Sequence, residues 1–127
     1  MVMDAEAIRD LFAALGPVRT RRMFGGQGIY AGELMFALEA GGELYLKADD
    51  RNVPAFQAAG SHPFTYAKDG RSAQMSYWRL LDAAADDPEQ AAHWGRLALD
   101  AASRAAAAKA TPVKRRRAAR RSATPRP

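Results

Sequence analysis

Apolar residues set the first pattern in the chain. Ile8, Leu11, Phe12 and Leu15 recur at i, i+3, i+4 and i+7, the stripe of an amphipathic helix. Asp4 is placed to cap its start, and Gly16-Pro17 ends it. From Val18 to Lys47 the period changes to two. Leu34, Phe36 and Leu38 alternate with Met35, Ala37 and Glu39, and Gly41-Gly42 then turns the chain into Leu44-Tyr45-Leu46-Lys47. Alternating runs joined by a Gly-Gly turn predict a β-hairpin. Ala31-Gly32 offers a second turn, so this region reads as a meander of three or four short strands. Asp49-Asp50-Arg51-Asn52 supplies caps for a short helix that tolerates Pro54 in its first turn, runs through Phe56 to Ala59 and stops at Gly60. Two more strands flank the turn Lys68-Asp69-Gly70-Arg71. Asp87-Pro88-Glu89 opens a last helix, in which Trp94, Leu97, Ala98, Ala101 and Ala102 keep helical spacing to about Ala108.

The element order α-β-β-β(β)-α-β-β-α, with hairpin turns throughout, predicts a two-layer α+β domain whose antiparallel sheet packs against helices. A parallel sheet would need a helical crossover after nearly every strand. Residues 1–108 form this domain. From Lys109 the composition is Ala, Arg, Lys, Pro, Ser and Thr, with Val113 the one larger aliphatic. Such a segment buries too little surface to offset its ordering entropy, so 109–127 is expected to be a disordered basic tail.

Charge sharpens that division. Residues 1–103 hold ten Lys or Arg against fourteen acids, giving −4, whereas 104–127 hold nine basic residues and no acid, giving +9. The overall +5 and the pI near 10.0 therefore belong to the tail. Cysteine is absent, which removes disulfides, thiolate catalysis and cysteine-based metal sites and fits a reducing cytoplasm. The acidic N-terminus lacks the pattern of a secretory signal. No apolar stretch approaches the roughly 20 residues of a membrane span. A cytoplasmic protein is expected.

Candidate chemistry is sparse. Arg21 and Arg22 beside Gly25, Gly26 and Gly28 invite comparison with phosphate loops, but those need a helix N-terminus next, and here Ile29-Tyr30 continues as strand. The glycines read as a turn or bulge. On a strand the two arginines point to opposite faces, and Arg19 would extend the face of Arg21. His62 and His93, the only histidines, have no second nitrogen ligand at metal spacing. Ser61-His62 is a dyad in sequence alone, without the orienting third group that nucleophile activation needs. The pairs Asp49-Asp50 and Asp86-Asp87 sit at helix starts, where capping explains them. No catalytic residue, metal or cofactor is assigned. Aromatics at strand positions read as core rather than as a base-stacking platform. The strongest functional signal is the tail: Lys109, Lys114, Arg115, Arg116, Arg117, Arg120, Arg121 and Arg126 would meet a nucleic-acid backbone through salt-sensitive, sequence-independent contacts. The bland counterpart is a solubilising extension.

The run Arg21-Arg22-Met23-Phe24-Gly25-Gly26-Gln27-Gly28-Ile29-Tyr30 resembles the signature of the TfoX N-terminal domain family, also called Sxy. Leu44-Tyr45-Leu46-Lys47-Ala48-Asp49, Ala58-Ala59-Gly60-Ser61-His62-Pro63-Phe64-Thr65-Tyr66 and Met75-Ser76-Tyr77-Trp78-Arg79-Leu80 agree with it in the same order. The likeness spans roughly Ala7 to Ala102. It implies a two-layer α+β fold similar to type III secretion chaperones. It also implies kinship with regulators of natural competence, which act with a cyclic-AMP receptor protein to switch on DNA-uptake genes. The resemblance supplies no catalytic residue. Full regulators of this kind carry a separate C-terminal helical domain, in whose place this chain is expected to carry the basic tail.

The resulting expectation is a non-enzymatic regulator that binds a protein partner, a transcription factor or polymerase, while its tail contacts DNA or RNA. It would be a monomer or weak homodimer with no membrane contact. The alternative is a general interaction or chaperone-like module with no direct DNA role.

Overall fold

The computed structural model describes residues 4–23, 25–68 and 71–123, with side chains described for 4–23, 25–65 and 76–109. The first helix, α1 (Ala5–Leu11), starts where the Asp4 carboxylate accepts the Ala7 N–H at 2.8 Å. It is shorter than its apolar stripe predicts, loosening into turns from Phe12, yet Leu15 still packs on the core. Then follow β1 (Arg19–Met23), β2 (Gly26–Ala31), β3 (Leu34–Ala40), β4 (Glu43–Lys47), α2 (Val53–Ala58), β5 (Pro63–Lys68), β6 (Arg71–Arg79), a short α3 (Asp82–Ala85) and α4 (Pro88–Ala123).

The strands form one six-stranded antiparallel sheet in the order β1-β2-β3-β4-β6-β5. The β3–β4 turn is the expected Gly41-Gly42 pair, both at positive φ (60° and 85°), as the two-residue hairpin turn that matches strand twist requires. Period two then sorts the side chains into rows. Thr20, Ile29, Ala37, Leu46 and Trp78 lie side by side across five strands, and Ile29, Ala37 and Leu46 are fully buried. Onto this inner face pack Ile8 and Phe12, Phe56 of α2, and Ala91, Ala98 and Ala102 of α4. Alanines on the buried stripe let α4 approach the sheet closely, while Phe56 stacks between Trp94 (4.9 Å) and Trp78 (6.2 Å).

One expectation about β3 is corrected. Strict alternation would put Leu34, Phe36 and Leu38 on one face. A bulge opposite Ile29 and Tyr30 leaves Phe36 as the extra residue, because Met35 faces Tyr30 and Ala37 faces Ile29. Phe36 and Ala37 therefore both bury, and Leu38 turns to the opposite face.

The loop after β4 is also tied differently from the capping reading. Asn52 occupies the N-cap position of α2 but makes no cap bond. Its buried amide instead donates to the Lys47 and Leu97 carbonyls and accepts the Asp49 N–H, joining β4, α2 and α4. Asp49 accepts the Arg51 and Asn52 N–H groups and takes a two-pronged contact from Arg104 at 2.6 and 3.0 Å. The Arg104 guanidinium, then the backbone N–H groups, hold the Asp49 carboxyl below its usual range. A depressed carboxyl stabilises the fold above its unfolded-state pKa and loses that contribution as pH falls through the folded-state value. Asp49→Asn is thus expected to lower stability at neutral pH and shrink the acid-induced loss, so the gap from the parent closes in urea titrations run down to acid.

Helix α4 begins as predicted, with the Asp87 carboxylate accepting from Glu89 and Gln90. The backbone of α4 continues as helix past Ala108, where its apolar spacing ends, to Ala123. Alanine, arginine and lysine in this stretch rank among the best helix formers, whereas Pro112 within it opposes helix. No described helix is long and apolar enough to cross a membrane.

Candidate functional site

The sequence singles out residues 21–28, and the structure explains them as sheet architecture. After Gly26 the chain continues as β2, so no helix N-terminus points at a phosphate. Gly25 holds φ +78° in the β1–β2 turn. A side chain at Gly26 would overlap the Glu39 carbonyl oxygen on β3. At Gly28 a Cβ would lie 2.8 Å from the Met23 sulfur, 3.1 Å from that of Met35 and 3.2 Å from the Tyr30 ring. The missing side chain lets two methionines lie down over the sheet.

Those methionines belong to the outer face. The row beside the buried one runs Arg21, Gly28, Leu38, Tyr45 and Arg79 across β1, β2, β3, β4 and β6. Leu38 is buried yet lies outside the helix-side core. Tyr45 meets Phe64 edge-on at 4.7 Å. Met23, Met35, Leu38 and Phe64 line an apolar hollow of about 130 Å³ with Gly26 and Ala40 at its wall. Met23 and Phe64 come from β1 and β5, opposite edges of the sheet. One hollow touching both shows that the outer face curls into a trough. At one end Glu39 is buried, accepting the Gly42 N–H at 2.8 Å and the Gln27 amide at 3.0 Å. This pair fixes the β3–β4 turn against β2.

The arginines separate as expected. Arg21 lies in the outer row and Arg22 pairs with Gln27 in the next. Both are exposed, and among the described residues neither makes an ion pair or side-chain hydrogen bond. Arg19 is engaged: its guanidinium donates to the Gly32 carbonyl and lies 4.8 Å from the Tyr30 ring centre. Arg79 likewise holds Glu43 (2.7 Å) and Asp82 (2.6 Å).

The remaining candidates do not assemble into a catalytic group. Ser61 donates its hydroxyl to the Arg79 carbonyl at 2.6 Å, so it is not poised on His62, whose exposed ring contacts the Pro63 carbonyl. His93 is exposed beside Trp94. Asp49 serves Arg104, and Asp87 caps α4. Among the described residues no three His, Asp or Glu side chains cluster as metal ligands. The aromatics divide: Phe36, Phe56 and Trp78 join the helix side, whereas Tyr30, Tyr45 and Phe64 belong to the outer face. A second recess opens where α4 passes β3 and β4. There Lys47 donates to Ser76 (2.8 Å) beside the Tyr77 ring, and burial, then nearby Lys109, lowers its pKa. Lys109 is the one tail cation whose side chain is described. Those of Lys114, Arg115, Arg116, Arg117, Arg120 and Arg121, together with Phe24 and Arg126, lie outside the described residues.

The sequence reading missed Met35, Leu38 and Phe64. The bulge hid Leu38, and the curl that brings β5 towards β1 left no mark in local periodicity.

A model of the TfoX N-terminal domain matches residues 10–102. The chain belongs to the TfoX N-terminal domain family. Over 97 residues it is 30% identical to Protein Sxy of Escherichia coli (strain K12), a match covering 74% of this chain and 45% of that protein. The chain thus spans under half the length of the curated relative it matches. In this TfoX-type domain Met23, Gly25, Gly26 and Gly28 of the signature shape the first hairpin and the floor of the outer trough, with exposed Arg21 on the trough's face of β1 and exposed Arg22 on the opposite face.

Proposed function

We propose that the chain is a non-enzymatic regulatory protein acting in the cytoplasm. Residues 1–108 bind a protein partner of the transcription machinery, a transcription factor or polymerase, and the basic segment 109–127 holds nucleic acid. Membership of the TfoX family favours a role in controlling DNA uptake. The observation that carries the nucleic-acid part is the division of charge, −4 over residues 1–103 and +9 over 104–127. Cations gathered in one segment release counterions from a phosphate backbone, giving affinity without sequence preference. The domain works as a monomer or weak homodimer.

The test is duplex-DNA affinity as a function of salt, for the full chain and for a truncation after Ala108. The full chain is expected to bind with Kd on the order of 10⁻⁴ to 10⁻⁶ M and to weaken steeply as salt rises. The truncated chain should bind negligibly. Equal, negligible binding by both would sink the DNA role. The apolar outer trough would then favour the second reading, an interaction or chaperone-like module whose basic segment serves solubility.

A further inference from the structure

We propose that the free edge of β1 and the methionine-lined trough beside it take an extended protein segment carrying acidic and apolar side chains. This rests on the reading above that the domain binds a protein partner, and it says where and by what chemistry.

Three observations meet there. First, β1 ends the sheet, so among the described residues no strand neighbours its outward N–H and C=O groups. An added strand is the standard way such an edge is used. Second, the edge is basic: residues 11–32 carry Arg19, Arg21 and Arg22 and no acid, in a body that is otherwise net acidic. Arg21 and Arg22 are exposed and lack described ion-pair partners, whereas Arg19 is already bonded. Third, the adjoining hollow of about 130 Å³ is walled by Met23, Met35, Leu38 and Phe64. That is room on the order of one leucine or aromatic side chain. Methionines adapt their shape to what they receive.

The occupant follows by charge. A second copy pairing β1 against β1 would set arginines opposite arginines, which is unfavourable across strands. The chain's own basic segment is repelled for the same reason. A nucleic acid would satisfy the arginines but leave the apolar trough unused. An acidic and apolar peptide satisfies both.

The test uses the full chain labelled at its methionine methyl groups and a blocked hexapeptide of alternating glutamate and leucine. Saturable shifts are expected at the Met23 and Met35 methyls, with none from the same peptide carrying lysine for glutamate. The double variant Arg21→Glu/Arg22→Glu should lose affinity about tenfold and accept the lysine peptide instead. That inverted preference cannot come from misfolding. A glutamate peptide that leaves both methyls unmoved would overturn the proposal, because it would then be engaging the basic segment alone. Undiminished binding by the double variant would overturn it too. So would duplex DNA that shifts these methyls through Arg21 and Arg22, since the edge would then be a nucleic-acid surface. None of these results alters the salt titration of the basic segment, so the two readings fail separately.

Discussion

Gly26→Ala is expected to destabilise the fold by more than about 3 kcal/mol, whereas Gly25→Ala next to it should cost only about 1–2 kcal/mol. The two glycines are constrained for different reasons. Gly25 sits at positive φ with open space where a Cβ would go, so alanine there meets only backbone strain. Gly26 has no positive φ, but its Cβ would be driven into the Glu39 carbonyl oxygen. That atom is backbone and cannot rotate away. Relief would require β2 to separate from β3, breaking ladder bonds at the place where Gln27 and the Gly42 N–H converge on buried Glu39. Against a total stability of roughly 5–15 kcal/mol for a small domain, the change removes a large share. Urea unfolding of the two variants checks it. Similar midpoints would show that the sheet yields at this point and that the motif's second glycine is not there for close packing.

That contrast shows what the signature stretch does. Its glycines bring β2 against β3 and let Met23 and Met35 lie across Gly28. Its arginines, exposed on opposite faces of β1, add no described contact to this packing, which leaves their charge available along the free edge of the strand. The same ten residues therefore serve architecture through glycine and recognition, as proposed, through arginine.

The sequence carried local features well and long-range ones poorly. The Asp4 and Asp87 caps, the Gly41-Gly42 hairpin and the alternation in β4 were legible because each depends on neighbours within a few residues. The place of β6 between β4 and β5 was not, since pairing across α2 depends on which rows match rather than on spacing. The Phe36 bulge was hidden because an extra residue changes parity without changing composition. Asn52 looked like a cap and proved to be a buried tie to Leu97 on α4, a partner far along the chain. The trough needed both the bulge and the curl of the sheet, so its walls were scattered among residues that read as ordinary core. Only its glycine floor stood out.

The bulge also sets the second large effect. Phe36→Ala is expected to cost about 3–5 kcal/mol, while Phe36→Leu should cost clearly less. Phe36 has no exposure and stands edge-on to Phe12 at 5.3 Å and 83°, joining β3 to the end of α1. Truncation removes that aromatic pair and opens a cavity between α1 and the sheet. The neighbours are poorly placed to fill it. Many of the residues buried in the same core are alanines, Ala37 on the sheet and Ala98 and Ala102 on α4 among them, too short to reach into such a gap. Leucine restores most of the volume but not the edge-to-face geometry, whose share is about 0.5–1.5 kcal/mol. In urea titrations both variants should shift the midpoint with little change in slope, since the surface exposed on unfolding is nearly the same. A loss under about 1 kcal/mol for alanine would mean that the bulged strand collapses onto the gap. In that case the outer trough, whose Met35 and Leu38 flank Phe36 and Ala37 on the same strand, should change shape with it. The methionine methyl spectrum of the variant would report that movement directly.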